Sequence, residues 1–190
     1  ENYLKMADHI SEVSKQILPS EDIDIIAYGC TSGTIAIGSD RIKEEGNKTK
    51  PKAKVTTPIT AAMKAFNHLG LKKIAVLTPY PKDVNATVYN YLIENNINVE
   101  SFSSFNLEYD SEIAQVSLAS LEKEISKIDL SNVDGLFVSC TALKIVDVLD
   151  KVESSQNTVV ISSNQAIIWD CLRSVGIDSK IKGYGKLFLN

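Results

Sequence analysis

Two cysteines occupy matching places in this sequence, and their thiols are the side chains best suited to chemistry. Cys30 follows the apolar run Ile23-Asp-Ile-Ile-Ala-Tyr28, and Cys140 follows the run Gly135-Leu-Phe-Val-Ser139. Each run predicts a buried strand, and each cysteine then lies in the turn before a predicted helix. Because ligands bind at the carboxyl edge of a parallel sheet, we predict that two lobes each contribute one thiol to a cleft.

A thiolate facing a thiol forms a base and acid pair. An ordinary thiol has a pKa of about 8.5, and a helix N-terminus stabilises the thiolate and lowers that pKa. Such a pair can remove a proton from one face of a carbon and return a proton on the other face. Alternatively, one sulfur can add to an activated double bond. Both routes lead to racemisation or isomerisation.

The residues beside the cysteines suit a carboxylate substrate. The hydroxyls of Thr31, Ser32 and Thr141, with the backbone N–H groups of both turns, can donate hydrogen bonds to a carboxylate. They would also stabilise the enolate-like charge that develops when a bond to the adjacent carbon breaks. This chemistry needs no cofactor in principle. We therefore expect none, and no metal, since His9 and His68 lack metal-ligand spacing and no G-x-G-x-x-G or Walker motif is present.

Other interpretations of these residues remain open at the level of sequence. A cysteine at the end of a buried strand is more often a small core residue than a nucleophile. Cys171 lies among apolar residues of a predicted helix and is interpreted as core. Tyr80 is either a surface aromatic in a turn or a phenol donor to the cleft. The run Ser162-Ser-Asn-Gln165 is interpreted as a helix cap.

The elements that must position the cysteines alternate between strand and helix. The 44–54 stretch, rich in lysine, predicts a solvated surface loop, and Pro58 with Thr57 and Gly70 marks the helix over 58–69. Alternation at this rhythm predicts an α/β fold with mostly parallel sheets flanked by helices. The predicted helices are 2–18, 58–69, 82–95, 111–127, 141–152 and 164–175, and the predicted strands are 23–28, 73–78, 97–102, 135–139 and 159–162.

Composition narrows the class of protein. The 190 residues carry a formal net charge of -4, with 24 acidic and 20 basic residues and no basic stripe, so nucleic acid is not an expected partner. The sequence has neither a run of about 18 apolar residues nor a signal-peptide pattern, and we expect a cytoplasmic protein that does not bind membranes. Three cysteines, an odd number, favour free thiols over a disulfide framework.

The sequence resembles the aspartate/glutamate racemase superfamily, in the branch that holds maleate cis-trans isomerase, arylmalonate decarboxylase and the racemase-like protein of ectoine utilisation. The motifs that carry the resemblance extend over nearly the whole chain and keep the same order. They are Ala27-Tyr-Gly-Cys30-Thr-Ser-Gly-Thr34, Leu77-Thr-Pro-Tyr80 with Val84-Asn85, Phe137-Val-Ser-Cys140-Thr-Ala-Leu143, and Ser162-Ser-Asn-Gln-Ala166 with Trp169 and Leu172-Arg173.

The resemblance implies two similar lobes with mostly parallel four-stranded sheets, related by a pseudo-twofold axis, with the active site in the cleft between them. It implies that Cys30 and Cys140 are catalytic and that a small carboxylate is the substrate. The substrate-binding residues that it implies are Thr31, Ser32, Tyr80, Asn85 and Thr141. It further implies a first lobe of residues 1–68 with 166–190 and a second lobe of residues 69–165. A homodimer is compatible with the resemblance.

One departure accompanies the resemblance. Family members begin with a further strand and a Ser-Asn or Thr-Asn substrate contact, whereas this sequence opens at Glu1 in a helical pattern. We therefore expect the first lobe to lack that N-terminal strand here.

Three hypotheses for function follow. The first is a cofactor-independent racemase or cis-trans isomerase with two catalytic cysteines, maleate-isomerase-like or acting on an amino acid or dicarboxylate, with ectoine breakdown as one setting. The presence of both cysteines favours this hypothesis, since the resemblance implies that the decarboxylases of the family keep only the second cysteine. The other two hypotheses are an arylmalonate-type decarboxylase and a non-catalytic carboxylate-binding protein.

Overall fold

A computed structural model describes residues 2–190 of the chain, and the side chains of residues 4–190. Helices and strands alternate along the chain, with 3-10 turns at Ile145–Val148 and Lys186–Leu189. The strands are β1 Ile25–Ala27, β2 Lys54–Thr56, β3 Lys73–Thr78, β4 Asn98–Ser104, β5 Gly135–Val138 and β6 Val159–Ser162. The helices are α1 Asn2–Gln16, α2 Thr31–Ile37, α3 Ser39–Asn47, α4 Pro58–Leu69, α5 Lys82–Glu94, α6 Asp110–Ile113, α7 Leu118–Ile125, α8 Leu149–Gln156 and α9 Ser163–Ser174.

Two parallel sheets organise these elements and confirm the predicted α/β fold. Strands β1 and β2 pair in one sheet, and the other sheet has the order β4-β3-β5-β6. Every neighbouring pair is parallel. The expected four strands occur in the second sheet, whereas the first sheet has two strands within the described chain. Strand β2 was not predicted, because Lys54-Val-Thr56 holds a single apolar residue and becomes a strand only through its pairing with β1.

The hydrophobic core is continuous across most of the molecule. Strands β3, β5 and β6 are almost wholly buried, as expected for a parallel sheet covered on both faces. Helices α4 and α9 contribute Phe66, Ala166 and Trp169 to the same core. A smaller cluster joins α1, α2 and α3 through Ala7, Ile10, Ile37 and Ile42. The division into lobes at residues 68 and 165 stays a prediction.

Local sequence signals account for α4 in full. Thr57 caps its first turn and exchanges hydrogen bonds with Thr60, and Pro58 occupies the first helical position. Gly70 ends the helix with a left-handed backbone at φ +71°, a conformation that a residue with a side chain rarely adopts. Strands β3 and β6 also match their predicted bounds.

The structure corrects the predictions for residues 111–127 and 44–54. The 111–127 helix is two short helices, α6 and α7, because the Ser117 hydroxyl accepts a hydrogen bond from the Ser120 N–H and starts a new helix. The 44–54 stretch is not a solvated loop, since α3 extends to Asn47 and Lys50 is buried. The Lys50 ammonium donates to the carbonyls of Leu18 at 2.8 Å and Glu21 at 2.7 Å. Backbone carbonyls from a distant segment thus compensate its burial.

Across residues 2–190, every helix is too short or too polar to cross a membrane.

Candidate active site

Cys30 lies three residues beyond β1 and caps the N-terminus of α2. Its Sγ accepts a hydrogen bond of 3.3 Å from the Gly33 N–H, and its carbonyl accepts hydrogen bonds from the N–H and hydroxyl of Thr34. The thiol is partly exposed. The predicted placement of Cys30 in the turn between strand and helix is therefore confirmed.

Gly33 allows the first turn of α2 to approach this sulfur closely. A Cβ added at Gly33 would lie 2.9 Å from Cys30 Sγ and 2.9 Å from Tyr28 Oη, distances that real Cβ atoms essentially never show. A larger residue would therefore have to displace the thiol or the phenol. The position of the Cys30 sulfur thus depends on a glycine three residues later.

Cys140 lies two residues beyond β5, but the prediction of a helix directly after it was wrong. Residues 141–144 form a turn, followed by the 3-10 segment and then α8. Cys140 itself has an unusual backbone, with a φ of +115°. Side chains rarely occupy this region, and such strain persists only where the surroundings hold it.

The surroundings of Cys140 favour the neutral thiol. The residue is 7% exposed, and burial is the main cause that raises the pKa of its thiol. The Ala142 N–H, 3.4 Å from Sγ, and the Tyr80 hydroxyl oppose that rise, whereas the charges of Asp110 and Cys30 add to it. The lowered pKa predicted for a cysteine at a helix N-terminus therefore does not hold for Cys140, because the helix is absent and desolvation dominates.

The turn that carries Cys30 and the turn that carries Cys140, the two cysteine turns, contact each other directly. The Thr141 hydroxyl donates a hydrogen bond of 2.7 Å to the carbonyl of Gly29, the residue before Cys30. A negative charge on the Cys30 sulfur would add a small rise to the pKa of both Cys140 and Tyr80, which shows that the three side chains are neighbours. The structure thus brings Cys30, Cys140 and Tyr80 together at the carboxyl edges of β1, β5 and β3.

Tyr80 is a buried phenol, which excludes the alternative of a surface turn aromatic. It is 5% exposed, and its hydroxyl interacts with Cys140 and Ser139. Burial raises its pKa well above the usual value, and the negative charge of a Cys140 thiolate raises it further. The phenol therefore keeps its proton and can serve as a hydrogen-bond donor.

Asn85 holds the backbone of Tyr80 in place. Its amide nitrogen donates to the Tyr80 carbonyl at 2.7 Å, and its amide oxygen accepts from the Thr78 hydroxyl. The Ser104 hydroxyl donates to the same Tyr80 carbonyl at 2.6 Å. Asn85 thus fixes the loop that carries the phenol, and substrate contact by Asn85 itself stays a prediction.

The hydroxyl residues after Cys30 lie at the start of α2. Thr31 is buried, and its hydroxyl is 3.0 Å from the hydroxyl of Ser163. The Ser32 hydroxyl is 3.9 Å from Cys30 Sγ, and Ser32 also lines a cavity of about 310 Å³ between α2 and α5. Their predicted role as carboxylate donors stays a prediction.

Sequence reasoning missed Ser163 and Asn164. The capping interpretation is confirmed for Ser162, which forms a reciprocal capping box with Gln165. The next two residues instead contact the cysteine turns: the Ser163 hydroxyl accepts from the Cys140 N–H at 3.1 Å, and the Asn164 amide donates to the Thr141 carbonyl at 2.8 Å. Their position directly after a parallel strand was the available signal.

Cys171 was predicted to be a core residue, but the structure shows it only partly buried. It is partly exposed on α9, because only one side of that helix faces the core. Burial still raises the pKa of its thiol. Among the side chains of residues 4–190, moreover, His, Cys, Asp and Glu form no group of three that could hold a metal ion.

Comparison with known proteins identifies relatives along the whole chain. A family model described as arylmalonate decarboxylase matches residues 2–188. Arylmalonate decarboxylase of Bordetella bronchiseptica is 30% identical over 142 residues, which cover 70% of this chain and 57% of the relative. Maleate isomerase of Pseudomonas putida is 23% identical over 178 residues, which cover 90% of this chain and 71% of the relative. The chain thus spans less than two thirds of the decarboxylase.

Solved structures share the fold. The maleate isomerase Iso of Pseudomonas putida superposes with a TM-score of 0.85 at 20% identity, covering 100% of this chain and 76% of that chain. A maleate cis-trans isomerase variant from Nocardia farcinica, with a covalently bound succinylcysteine intermediate, gives a TM-score of 0.91 at 18% identity, covering 98% and 79%.

Proposed function

This chain belongs to the arylmalonate decarboxylase family, and we propose that it is a cofactor-independent isomerase that uses two thiols, Cys30 and Cys140, on a small carboxylate. The family holds both isomerases and decarboxylases, and the relatives named above include both kinds. The observation that carries the proposal is the contact between the two cysteine turns, made by the Thr141 hydroxyl on the Gly29 carbonyl.

The two thiols have different surroundings, which supports different roles. Burial raises the pKa of Cys140, so this sulfur holds its proton near neutral pH and is assigned as the acid. Cys30 is the more exposed sulfur, and it accepts a hydrogen bond from the Gly33 N–H. It is assigned as the group that acts first, as base or nucleophile.

Either of two reactions fits these roles. In a racemisation, the Cys30 thiolate takes the proton next to the carboxylate, the C–H electron pair moves into an enediolate, and Cys140 delivers its proton to the opposite face. In a cis-trans isomerisation, the Cys30 thiolate adds to the double bond and Cys140 protonates the neighbouring carbon. Rotation about the new single bond and reversal of both steps then give the trans product.

The isomerisation route draws support from a relative. The Nocardia farcinica maleate cis-trans isomerase variant carries a succinylcysteine intermediate, the thioether that thiolate addition to maleate and protonation would form. Maleate or a similar small unsaturated dicarboxylate is accordingly the first substrate to test.

Hydrogen-bond donors near the sulfurs are suited to hold the substrate carboxylate. The buried Tyr80 phenol keeps its proton because its pKa is raised by burial, so it can donate to an anion. Ser32 supplies a further hydroxyl at the start of α2, and Thr31 supplies another when Ser163 donates to it. The Thr141 proton is instead donated to the Gly29 carbonyl, so Thr141 positions the turn. These donors would also stabilise the enediolate, whose charge grows on the carboxylate oxygens in the transition state.

Decarboxylation is the second candidate, favoured by the 30% identity to an arylmalonate decarboxylase. Here the bond to a departing carboxylate breaks, its electron pair remains as an enediolate, carbon dioxide leaves, and one thiol donates a proton to the carbon. This reaction needs a single acid. It therefore predicts that a Cys30→Ala variant keeps nearly full turnover and releases carbon dioxide.

The test uses a panel of maleate, small dicarboxylates, amino acids and arylmalonates, followed by proton NMR in deuterium oxide. We expect isomerisation or exchange of the proton beside the carboxylate. Cys30→Ala and Cys140→Ala should each lower the rate by about 10²-fold or more, while the matched Cys171→Ala variant keeps it. Full activity in either of the first two variants contradicts the proposal. Binding of a carboxylate without exchange or turnover would favour the non-catalytic binder.

A further inference from the structure

One buried hydroxyl, that of Ser163, contacts both cysteine turns. Ser163 is 0% exposed and is the first residue of α9. Its Oγ lies 3.0 Å from the Thr31 hydroxyl, next to Cys30, and 3.1 Å from the backbone nitrogen of Cys140. Thr31 and Ser163 come from segments 132 residues apart in the chain. A single side chain therefore connects the two cysteine turns.

The direction of these hydrogen bonds is restricted by chemistry. The Cys140 N–H can only donate, so the Ser163 oxygen accepts from it. A serine hydroxyl has two lone pairs and one hydrogen, so it can accept this bond and still share a second bond with Thr31. Ser163 thus satisfies the Cys140 N–H and the Thr31 hydroxyl at once.

The bond to Cys140 acts on a strained residue. Cys140 has a φ of +115°, a conformation that a residue with a side chain leaves unless contacts oppose the change. The hydrogen bonds that tie this turn to the rest of the fold include the one that the Cys140 N–H donates to Ser163, the one that Thr141 donates to Gly29, and the one that Asn164 donates to the Thr141 carbonyl. Loss of the Ser163 hydroxyl would leave a buried N–H without a partner and let the turn relax.

From these contacts we propose that Ser163 is a positioning residue that fixes the Cys140 thiol relative to the Cys30 thiol. Its effect on turnover rests on the proposed two-thiol function. Its effect on the separation of the sulfurs does not, because that separation can be measured without any substrate.

Ser162 provides the matched control for a purely structural role. It is buried next to Ser163 on the same helix end, and its hydroxyl accepts from the Gln165 N–H at 3.1 Å. Replacing it with alanine removes a helix cap and so lowers stability. Its hydrogen bonds with Gln165 connect the end of β6 with the first turn of α9, whereas those of Ser163 reach both cysteine turns.

The experiment compares Ser163→Ala with Ser162→Ala, both carrying Cys171→Ala. The probe is 1,3-dichloroacetone, which links two thiols through three carbons, and mass spectrometry measures the fraction of protein with Cys30 bridged to Cys140. We expect Ser163→Ala to lower the bridging rate by about 5- to 30-fold, the factor that one or two buried hydrogen bonds give. It should also shift the pH profile of Cys140 alkylation, whereas Ser162→Ala changes neither.

A second pair of variants keeps the test decisive if Ser163→Ala does not fold. Thr31→Val removes the other partner of the same hydrogen bond, and Thr31→Ser retains the hydroxyl. We expect Thr31→Val to reduce bridging and Thr31→Ser to restore it. Parental bridging and an unchanged Cys140 profile in Ser163→Ala, or equal changes in Ser162→Ala, would overturn the proposal. If the parent bridges its thiols but converts no substrate, the proposed function fails while this inference stands.

Discussion

The hydroxyl of Thr141 donates a hydrogen bond of 2.7 Å to the backbone carbonyl of Gly29. Each of these residues is adjacent in sequence to one of the two cysteines, so the bond sets one turn against the other. This hydrogen bond directly connects two turns that lie far apart in the chain, and it leads to the first prediction.

Replacement of Thr141 by valine should loosen the contact between the cysteine turns. The substitution keeps the shape of the side chain but removes the donor to Gly29. A neutral hydrogen bond contributes about 0.5–1.5 kcal/mol, so we expect turnover to fall by roughly 2- to 12-fold. Steady-state kinetics measures the loss, and Thr141→Ser, which keeps the hydroxyl, should recover most of it. Equal activity of the valine and serine variants would contradict this role.

Alanine at position 33 should displace the Cys30 thiol. The new methyl group would meet Cys30 Sγ and Tyr28 Oη at 2.9 Å each, and both belong to a packed turn. We expect Gly33→Ala to lower the free energy of unfolding by about 1–3 kcal/mol and to impair activity. Gly29→Ala is the control, since a Cβ there meets nothing within 4 Å. Urea denaturation compares the two, and equal stability would contradict the steric argument.

Removal of the Tyr80 hydroxyl should raise the pKa of Cys140 further. Burial raises that pKa, and the hydrogen bond from Tyr80 opposes the rise because it stabilises the thiolate. In Tyr80→Phe the thiolate loses this donor, so a higher pH is needed to form it. The midpoint of the Cys140 alkylation rate against pH, followed by mass spectrometry, should move upward. A midpoint that is unchanged or lower would show that the phenol does not donate to this sulfur.

Asp170 should be important for stability rather than for chemistry. Its buried carboxylate accepts hydrogen bonds from the buried Thr56 hydroxyl and from the Lys64 ammonium at 2.8 Å, which links β2 and α4 to α9. Asp170→Ala leaves Thr56 without this acceptor, and we expect a loss of about 1–3 kcal/mol in urea denaturation. Lys64→Ala should also destabilise the fold, because it leaves the buried Asp170 carboxylate without its cation. Parental stability of Asp170→Ala would contradict this role.

Local signals explain how much of the fold could be predicted from the sequence. The helix over 58–69 carries its own cap, its proline and its terminal glycine, and the structure reproduces its bounds. The break at Ser117 had a comparable local cause, a serine cap, but the apolar spacing of 111–127 hid it. The burial of Lys50 had no local signal, because its partners, the carbonyls of Leu18 and Glu21, lie about 30 residues earlier.

The sequence by itself determined that each catalytic candidate follows a strand, because hydrophobic runs and turn residues act over a few neighbouring positions. The predicted full burial holds for β5 but not for β1, where Ile26 is buried and Ala27 is exposed. Only the tertiary structure decided that the two cysteine turns contact each other, that Tyr80 is buried beside Cys140, and that Ser163 connects both cysteine turns. The strained backbone of Cys140 likewise appeared only in the fold. These features depend on contacts between residues far apart in the chain, and the order of the strands, which no local pattern encodes, determines those contacts.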